Sequence, residues 1–243
     1  MTKAAGSKDV LREVDDTARR LARTLIRCAR FGALGVLDPE SGAPAVSRVS
    51  LATDGIGAPV FLISQLSGHF GALEAYGRAS LLVGQPGKGD PLAHPRITVT
   101  GTARKLSGSS RDAARTRFLA RHPKAALYAD FADFAFWRLE PEGASLNGGF
   151  GKAYAMTAED LASPAMDDLA IPDPDEEPPA GLLATALLNE PEGPWRITGC
   201  DAEGVDLANT DRIARLWFDR PLSAPSDLQP TLAQLAARAR GMT

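Results

Sequence analysis

Two polar side chains share one face of the segment AVSRVSL, which has the two-residue alternation of a β-strand. Because side chains alternate across a strand, Arg48 and Ser50 lie on one face together with Val46, whereas Val49 points to the other. A guanidinium and a hydroxyl on one face can bind a single anion together. The simpler alternative is that Arg48 is a solvated strand charge.

A second polar group follows a strand-like run in the segment LISQLSGHF. Ser64 ends the run, Ser67 begins a predicted helix, and His69 lies in its first turn. Hydroxyls and the free N–H groups of a helix N-terminus bind anions, and an imidazole adds one more donor. Serines are equally typical of plain helix caps, and a single histidine is more often a surface or internally bonded residue.

The motifs of several familiar active sites are missing. The chain contains no G-x-x-x-x-G-K-[ST] phosphate loop, no H-E-x-x-H and no G-x-S-x-G. Its three histidines, His69, His94 and His122, would need an unusual clustering to build a triad or a zinc site. The two cysteines, Cys28 and Cys200, form no C-x-x-C pair, which favours a reducing compartment without structural zinc. We therefore predict no metal site and assign no catalytic residue.

The charge and composition exclude some classes of partner. A net charge of −3 and a pI of about 5.7 provide no general positive field for nucleic acid or anionic lipid. The first ten residues contain no apolar leader, and no apolar run approaches a membrane span. We expect a cytoplasmic protein that acts on neither nucleic acid nor membranes.

The elements that position the polar residues are mainly β-strands. Residues 8–30 have the period of an amphipathic helix, and five strand-like runs follow between 31 and 106. Further helices are predicted at 66–77 and 107–123, and a strand pair at 134–146. Short turns between the strands favour an antiparallel sheet or barrel over a βαβ sheet.

The C-terminal third begins with a change of composition. Residues 163–179 hold five prolines, six acids and no base, which is typical of a linker or a surface segment. We predict a barrel domain with its N-terminal helix at 1–160, an acidic proline-rich linker at 161–180 and a small α+β domain at 181–243.

Three ordered motifs carry a family resemblance over about residues 17–160. They are I-S-x-L-x-x-H ending at His69, D-P-x-x-x-P-R-x-T-x-x-G around Arg96, and D-F-x-x-x-R-L from Asp133 followed by G-G-F-G-x-A. In this order they resemble the pyridoxamine 5′-phosphate oxidase-like, FMN-binding split β-barrel family, most closely its HugZ/HutZ haem-utilisation branch. The later motif W-x-x-T-G-x-D-x-E-G-x-D-L resembles the small C-terminal domain that often follows this barrel.

The resemblance implies a fold, a cofactor and a partner. The fold is mainly β with helices, a split β-barrel plus a small C-terminal α+β domain. A homodimer would hold FMN in a groove between its subunits, and the activity would be that of an oxidoreductase. The cofactor-binding residues that the motifs carry over are Arg48, Val49, Ser50, Ser64, Ser67, His69 and Arg96.

Departures from the family pattern leave two alternatives open. Relatives with the second domain carry an M-N-x-D-H stretch, whereas this chain has no histidine after His122. The first alternative is a haem-binding or haem-utilisation protein that uses the same groove, with Asp133 as a nearby acid. The second is a non-catalytic regulatory binding module. The sequence identifies no substrate.

Overall fold

The chain folds into ten strands and six helices within the residues described by a computed structural model, which are 11–84, 86–167, 169–173 and 180–242. The strands are β1 (Phe31–Leu37), β2 (Pro44–Thr53), β3 (Pro59–Ser64), β4 (Arg78–Val83), β5 (Arg96–Lys105), β6 (Phe134–Asn147), β7 (Ala153–Thr157), β8 (Arg196–Asp201), β9 (Gly204–Asn209) and β10 (Arg212–Trp217). The helices are α1 (Asp16–Arg27), α2 (Gly68–Tyr76), α3 (Gly108–Arg121), α4 (Ala158–Leu161), α5 (Ala180–Leu182, continued by a π-helical turn at Leu183–Leu187) and α6 (Leu228–Arg240).

Six antiparallel strands close into a barrel. Their order is β3-β2-β1-β4-β5-β6, and β6 pairs back onto β3, while β7 extends the sheet beyond β6. Closure removes the exposed edges that an open sheet would offer to other chains. The predicted fold class, a split β-barrel with helices and a small α+β part, is confirmed.

The barrel interior follows from the two-residue period of the strands. In β2 the buried side chains include Val49 and Leu51, whereas Val46, Arg48 and Ser50 lie on the outer face, as the alternation predicts. Helix α1 covers the barrel with Ala18, Ala22 and Ile26 and ends close to β1. Of the predicted helix at 8–30, residues 8–10 lie outside the described part, and Leu11 forms a β-bridge with Ala153.

The region predicted as a strand pair at 134–146 is one continuous strand. Strand β6 continues through residues 141–143 with a β-bulge, where its register with β5 shifts between Thr100 and Gly101. A bulge accommodates an extra residue and bends the strand without ending it. The actual turn is the glycine segment that follows, where Gly148 N–H donates to the Lys152 carbonyl over 2.7 Å.

The C-terminal part has its own apolar core. Strands β8, β9 and β10 form an antiparallel sheet, and α5 and α6 pack against it through residues such as Leu183 and Leu232. Met166, Leu169 and Ile171, from the predicted linker, also pack on this core. Residues 168 and 174–179 of that segment lie outside the described part, and the division into 1–160, 161–180 and 181–243 stays a prediction. No helix within the described ranges is long and apolar enough to cross a bilayer.

We expect Gly101→Ala to destabilise the barrel. A Cβ at this position would overlap the backbone carbonyl oxygen of Glu140, which no side-chain rotation can relieve. The expected loss is about 1–3 kcal/mol in the free energy of unfolding, measured by denaturant titration. The matched control is Gly71→Ala in α2, where a Cβ meets no atom within 4 Å and alanine favours the helix. Equal denaturation midpoints for the two variants would contradict this packing.

Candidate functional site

A shallow groove of about 360 Å³ lies where β2, β3 and the start of α2 meet. Ten residues line it: Arg48, Val49, Ser50, Leu62, Ile63, Ser64, Ser67, His69, Tyr128 and Phe134. Its volume is at the lower end of the ~300–1,000 Å³ typical of small-molecule pockets. The structure therefore brings together six of the seven residues predicted from the sequence and adds an aromatic wall.

The seventh predicted residue, Arg96, lies elsewhere. It begins β5, where it pairs with Asn147, and its Nη1 donates to the carbonyls of Leu92 and His94 over 3.1 and 3.4 Å. It does not line the groove. Its side chain therefore braces the short turn before β5.

Arg48 supplies the positive charge of the groove. Its guanidinium lies over the ring of Phe31, 5.1 Å from the centroid. The register of β1 against β2 explains this, because Phe31 is opposite Ser50 and Ala33 is opposite Arg48 on the same outer face. No carboxylate pairs with Arg48 among the described residues, so its donors remain available to a ligand.

Two of the three serine hydroxyls in the groove, those of Ser64 and Ser67, already have hydrogen-bond partners inside the protein. Ser64 Oγ donates to Asp133 Oδ2 over 2.7 Å and accepts from the N–H of Leu66 over 3.1 Å. Ser67 occupies the N-cap position of α2, yet its hydroxyl donates to the Ser64 carbonyl over 2.6 Å and caps no helix N–H. The hydroxyl protons of Ser64 and Ser67 are therefore donated within the protein, and Asp133 places a carboxylate next to Ser64, behind the groove lining.

The N-terminus of α2 nevertheless keeps its affinity for anions. No side chain caps the helix, and unpaired N–H groups of a first turn carry a partial positive charge. Together with Arg48, this end of the helix favours a singly charged group such as a carboxylate. A doubly charged phosphate would meet the carboxylate of Asp133 beside Ser64.

His69 differs from the other two histidines. The Nε2 atom of His122 lies 2.7 Å from the Leu51 carbonyl oxygen, and that of His94 lies 2.9 Å from the Lys88 carbonyl oxygen. The ring of His69 has no hydrogen-bond partner in the described part of the chain, and it lines the groove half-buried. Burial lowers its pKa below the usual value, so the ring is neutral near pH 7 and offers a nitrogen lone pair.

An aromatic wall completes the groove. The rings of Tyr128 and Phe134 pack 5.0 Å apart, and the segment between them is fixed by Asp130, which accepts from Arg111 and Arg115 of α3. These hydrogen bonds, the one from Arg115 first, lower the pKa of Asp130 to about 2. The sequence did not predict Tyr128 as a groove residue, because nothing in its spacing connects it with β3. Phe134 could have been predicted, because it belongs to the D-F motif that carries the family resemblance.

No group of three or more His, Cys, Asp or Glu side chains within the described residues is arranged to hold a metal ion. The groove can therefore offer iron a single histidine nitrogen, and any further ligands would belong to a cofactor.

Both cysteines are free thiols, and burial raises the pKa of Cys28 to about 12 and that of Cys200 to about 11.

We expect the imidazole of His69 to titrate below pH 6.5, its ordinary value, because burial penalises the charged ring. Between the folded and unfolded pKa values the unfolded chain binds more protons. The contribution of His69 to stability is therefore complete above pH 6.5 and decreases as the pH falls below it. NMR titration of the ring resonances, assigned with His69→Asn, checks this; a midpoint above 6.5 would contradict the groove's burial of the ring.

Comparisons with known proteins agree with this fold. The family model described as CREG, beta-barrel matches residues 13–163, well over half of the chain. The chloroplastic heme oxygenase HOZ of Arabidopsis thaliana is 34% identical over 140 residues, which are 56% of this chain but only 42% of that protein's length. The structure of Atu2129, a protein of unknown function from Agrobacterium tumefaciens, matches with a TM-score of 0.74 and 30% identity over 91% of this chain and 96% of that chain.

A heme binding protein from Mycobacterium smegmatis matches with a TM-score of 0.58 and 29% identity, over 94% of this chain and all of that chain. The match therefore extends through the C-terminal part as well as the barrel. Taken with the closed six-stranded barrel and the match over residues 13–163, these similarities show that the chain belongs to the CREG β-barrel family.

Proposed function

We propose that this protein binds haem in the groove beside β2, β3 and α2, as a homodimer of the haem-utilisation branch. The observation that carries the proposal is the chemistry of the lining residues. His69 is neutral and has no hydrogen-bond partner among the described residues, while the hydroxyls of Ser64 and Ser67 donate inside the protein, that of Ser64 to a carboxylate. This set of groups suits an iron ligand better than a phosphate cradle.

The remaining lining residues suit a flat, largely apolar ring with carboxylate substituents. Leu62, Ile63, Tyr128 and Phe134 provide apolar and aromatic surface. Arg48 and the uncapped N-terminus of α2 provide the positive charge that a haem propionate needs. When bound, haem would supply redox and oxygen chemistry at its iron. The chain's own residues would bind the ring, orient it and exclude water.

Two relatives support the same ligand. The Arabidopsis protein that matches 56% of the chain is a non-canonical heme oxygenase, and the mycobacterial protein that matches 94% of the chain is a heme binding protein. Because the chain spans only about two fifths of the Arabidopsis protein, 42%, we propose haem binding and extend no further activity of that protein to this chain.

FMN is the second candidate, and one observation favours it. Arg48 has no carboxylate partner among the described residues and lies on the same groove as the uncapped start of α2, which is a common arrangement for phosphate. Against it stands Asp133, which holds the Ser64 hydroxyl and would repel a phosphate dianion. FMN binding stays a prediction, which a titration with FMN tests. An FMN-dependent oxidoreductase activity also stays a prediction, and it requires that binding.

The outer face of the barrel beside the groove suits a second subunit. Phe31, Val46 and Leu82 are exposed on β1, β2 and β4, on a face that they share with Ala33 and with Arg48, whose guanidinium covers the Phe31 ring. Val46 alone retains 70% of its accessible surface. Exposed apolar side chains beside an arginine are typical of a protein–protein interface, here between two copies of the chain. The groove is open on one side, and a second copy of the chain would cover it.

The haem proposal is tested by titrating the purified protein with hemin and following the Soret band. We expect saturable binding with a shifted band, and we expect His69→Ala to weaken binding at least about tenfold, or 1.4 kcal/mol, and to change the spectrum. The matched control is His94→Ala, because His94 lies in the turn before β5 and does not line the groove.

Identical spectra and affinities for the His69 and His94 variants would contradict the proposed ligand. A parallel titration with FMN, read by quenching of flavin fluorescence, separates the two cofactors. Tight FMN binding that strengthens in Asp133→Asn would favour the flavin alternative. Binding of neither ligand would leave the regulatory module as the better hypothesis.

The dimer is tested by light scattering after size-exclusion chromatography. We expect twice the 25.6 kDa mass of one chain for the unmodified protein and one chain mass for Val46→Asp, since a buried carboxylate opposes association. Leu92→Asp is the control, because Leu92 is exposed in the turn before β5. A monomeric mass for the unmodified protein would contradict the proposed interface.

A further inference from the structure

Five charged residues form a buried cluster where the barrel helices meet the C-terminal sheet. Its members are Arg27 of α1, Arg121 of α3, Asp201 of β8, Asp206 of β9 and Arg215 of β10. Their side chains retain between 0 and 2% of their accessible surface. Both aspartates belong to the W-x-x-T-G-x-D-x-E-G-x-D-L motif, to which the haem groove assigns no role.

The pairs within the cluster are short. Asp201 binds Arg27 and Arg215, each over 2.7 Å, and Asp206 binds Arg215 over 2.9 Å and Arg121 over 3.0 Å. Burial alone disfavours the charged carboxyl of Asp206, yet the guanidiniums of Arg215 and Arg121 hold its pKa below the ordinary value. Asp206 is therefore anionic, Asp201 accepts from two guanidiniums as a carboxylate does, and arginine does not lose its proton in proteins.

The charges of the cluster do not balance. Three guanidiniums face two carboxylates, which leaves one positive charge enclosed in the protein. A further cation, Arg117, also acts on Arg27 and donates to the Cys200 carbonyl over 2.9 Å, but it is only partly buried, so solvent screens its charge and it is not counted among the enclosed charges. An uncompensated charge with so little exposure to solvent costs several kcal/mol unless a counter-ion accompanies it.

Unused hydrogen-bond donors mark where a counter-ion would bind. Arg121 makes one ion pair through Nη2, while its Nε and Nη1 are buried without a partner. The Nε atoms of Arg27 and Arg215 are also buried without a partner. Guanidinium nitrogens can only donate, so whatever satisfies them must accept hydrogen bonds. Buried donors in folded proteins are almost always satisfied.

We infer that this cluster is a binding site for one small monovalent anion of the chloride class, held chiefly by Arg121 between α3 and the β8–β10 sheet. The excess of one positive charge sets the charge of the ligand. The enclosure of all five side chains limits its size and excludes a substrate or an oligoanion. A water molecule would satisfy the donors but would leave the charge uncompensated.

Anion binding would depend on the contact between the barrel helices and the C-terminal sheet. Arg27 and Arg121 come from the barrel helices, whereas Arg215 and the two aspartates come from the C-terminal sheet. A ligand that compensates the combined charge binds only while these elements are together. It therefore stabilises the assembled chain and has no comparable site in the unfolded chain.

The test is thermal unfolding of the full chain in chloride and in gluconate at equal ionic strength. We expect the melting temperature to rise with chloride by roughly 3–6 °C for each tenfold increase above the dissociation constant. Arg121→Met should abolish the difference between the salts, because it removes two of the four unpaired donors of the cluster and leaves two cations facing two anions. Arg104→Met, in an exposed pair with Glu140, should retain it.

Crystals of the unmodified protein grown in bromide keep the inference testable if Arg121→Met does not fold. We expect an anomalous bromide peak at hydrogen-bonding distance from Arg121. A water at that position without an anomalous signal would overturn the inference, as would equal melting temperatures in the two salts. A chloride effect that persists in a folded Arg121→Met variant would place the anion elsewhere and would also overturn it.

Discussion

The pairing of β3 with β6 is the constraint on which the candidate site depends. It closes the barrel and sets Ser64 directly opposite Phe134. In that register Asp133 reaches the Ser64 hydroxyl, and the N–H of Gln65 donates to the Asp133 carbonyl over 2.7 Å. A shift of one residue would turn Phe134 away from the groove and separate the serine from its carboxylate. The chemistry of the site is therefore a consequence of barrel closure.

This closure changes the chemical character of the groove. Taken alone, an arginine, two serines and a helix N-terminus form a phosphate site. Because the Ser64 hydroxyl donates to Asp133 and the Ser67 hydroxyl donates to the Ser64 carbonyl, neither is free to donate to a phosphate, and the positive charge of the groove comes from Arg48 and the start of α2. The neutral ring of His69 then becomes the most distinctive group in the groove. The carboxylate of Asp133 thus makes a phosphate ester a less favourable ligand than a tetrapyrrole, whose propionate groups each carry a single charge.

Local sequence patterns predicted the elements well. The alternation around Arg48 correctly separated the outer face of β2 from the buried one, and the strand runs between 31 and 106 became β1 to β5. The order of three motifs was enough to identify the split barrel from the sequence. These features depend on residues close together in the chain, where side-chain period and turn residues determine the outcome.

Interactions between distant segments could not be predicted from the sequence. The direction in which the Ser64 hydroxyl donates depends on a residue 69 positions away, and the partner carbonyls of His94 and His122 are visible only in the fold. The same holds for the aspartates of the C-terminal motif, whose spacing is that of a β-hairpin. Their role became apparent only when α1 and α3 placed Arg27 and Arg121 against them.

The barrel and the C-terminal sheet are held together by contacts of two kinds. Trp217 of β10 contacts the guanidiniums of both Arg20 and Arg215, and its indole N–H donates to Thr24 of α1 over 3.2 Å. The buried ion cluster provides the second kind. The junction is therefore specified by directional interactions, which fix the orientation of the C-terminal sheet more narrowly than apolar packing alone.

Histidine ligation of a haem iron in the groove is measured most directly by electron–nuclear double resonance. The sample is the ferric haem complex of protein labelled with ¹⁵N only in histidine. A strongly coupled ¹⁵N nucleus that disappears in His69→Ala and persists in His94→Ala is the predicted result. A haem complex with no coupled histidine nitrogen, or with a coupling that survives the loss of His69, would contradict the assignment of His69 as the iron ligand.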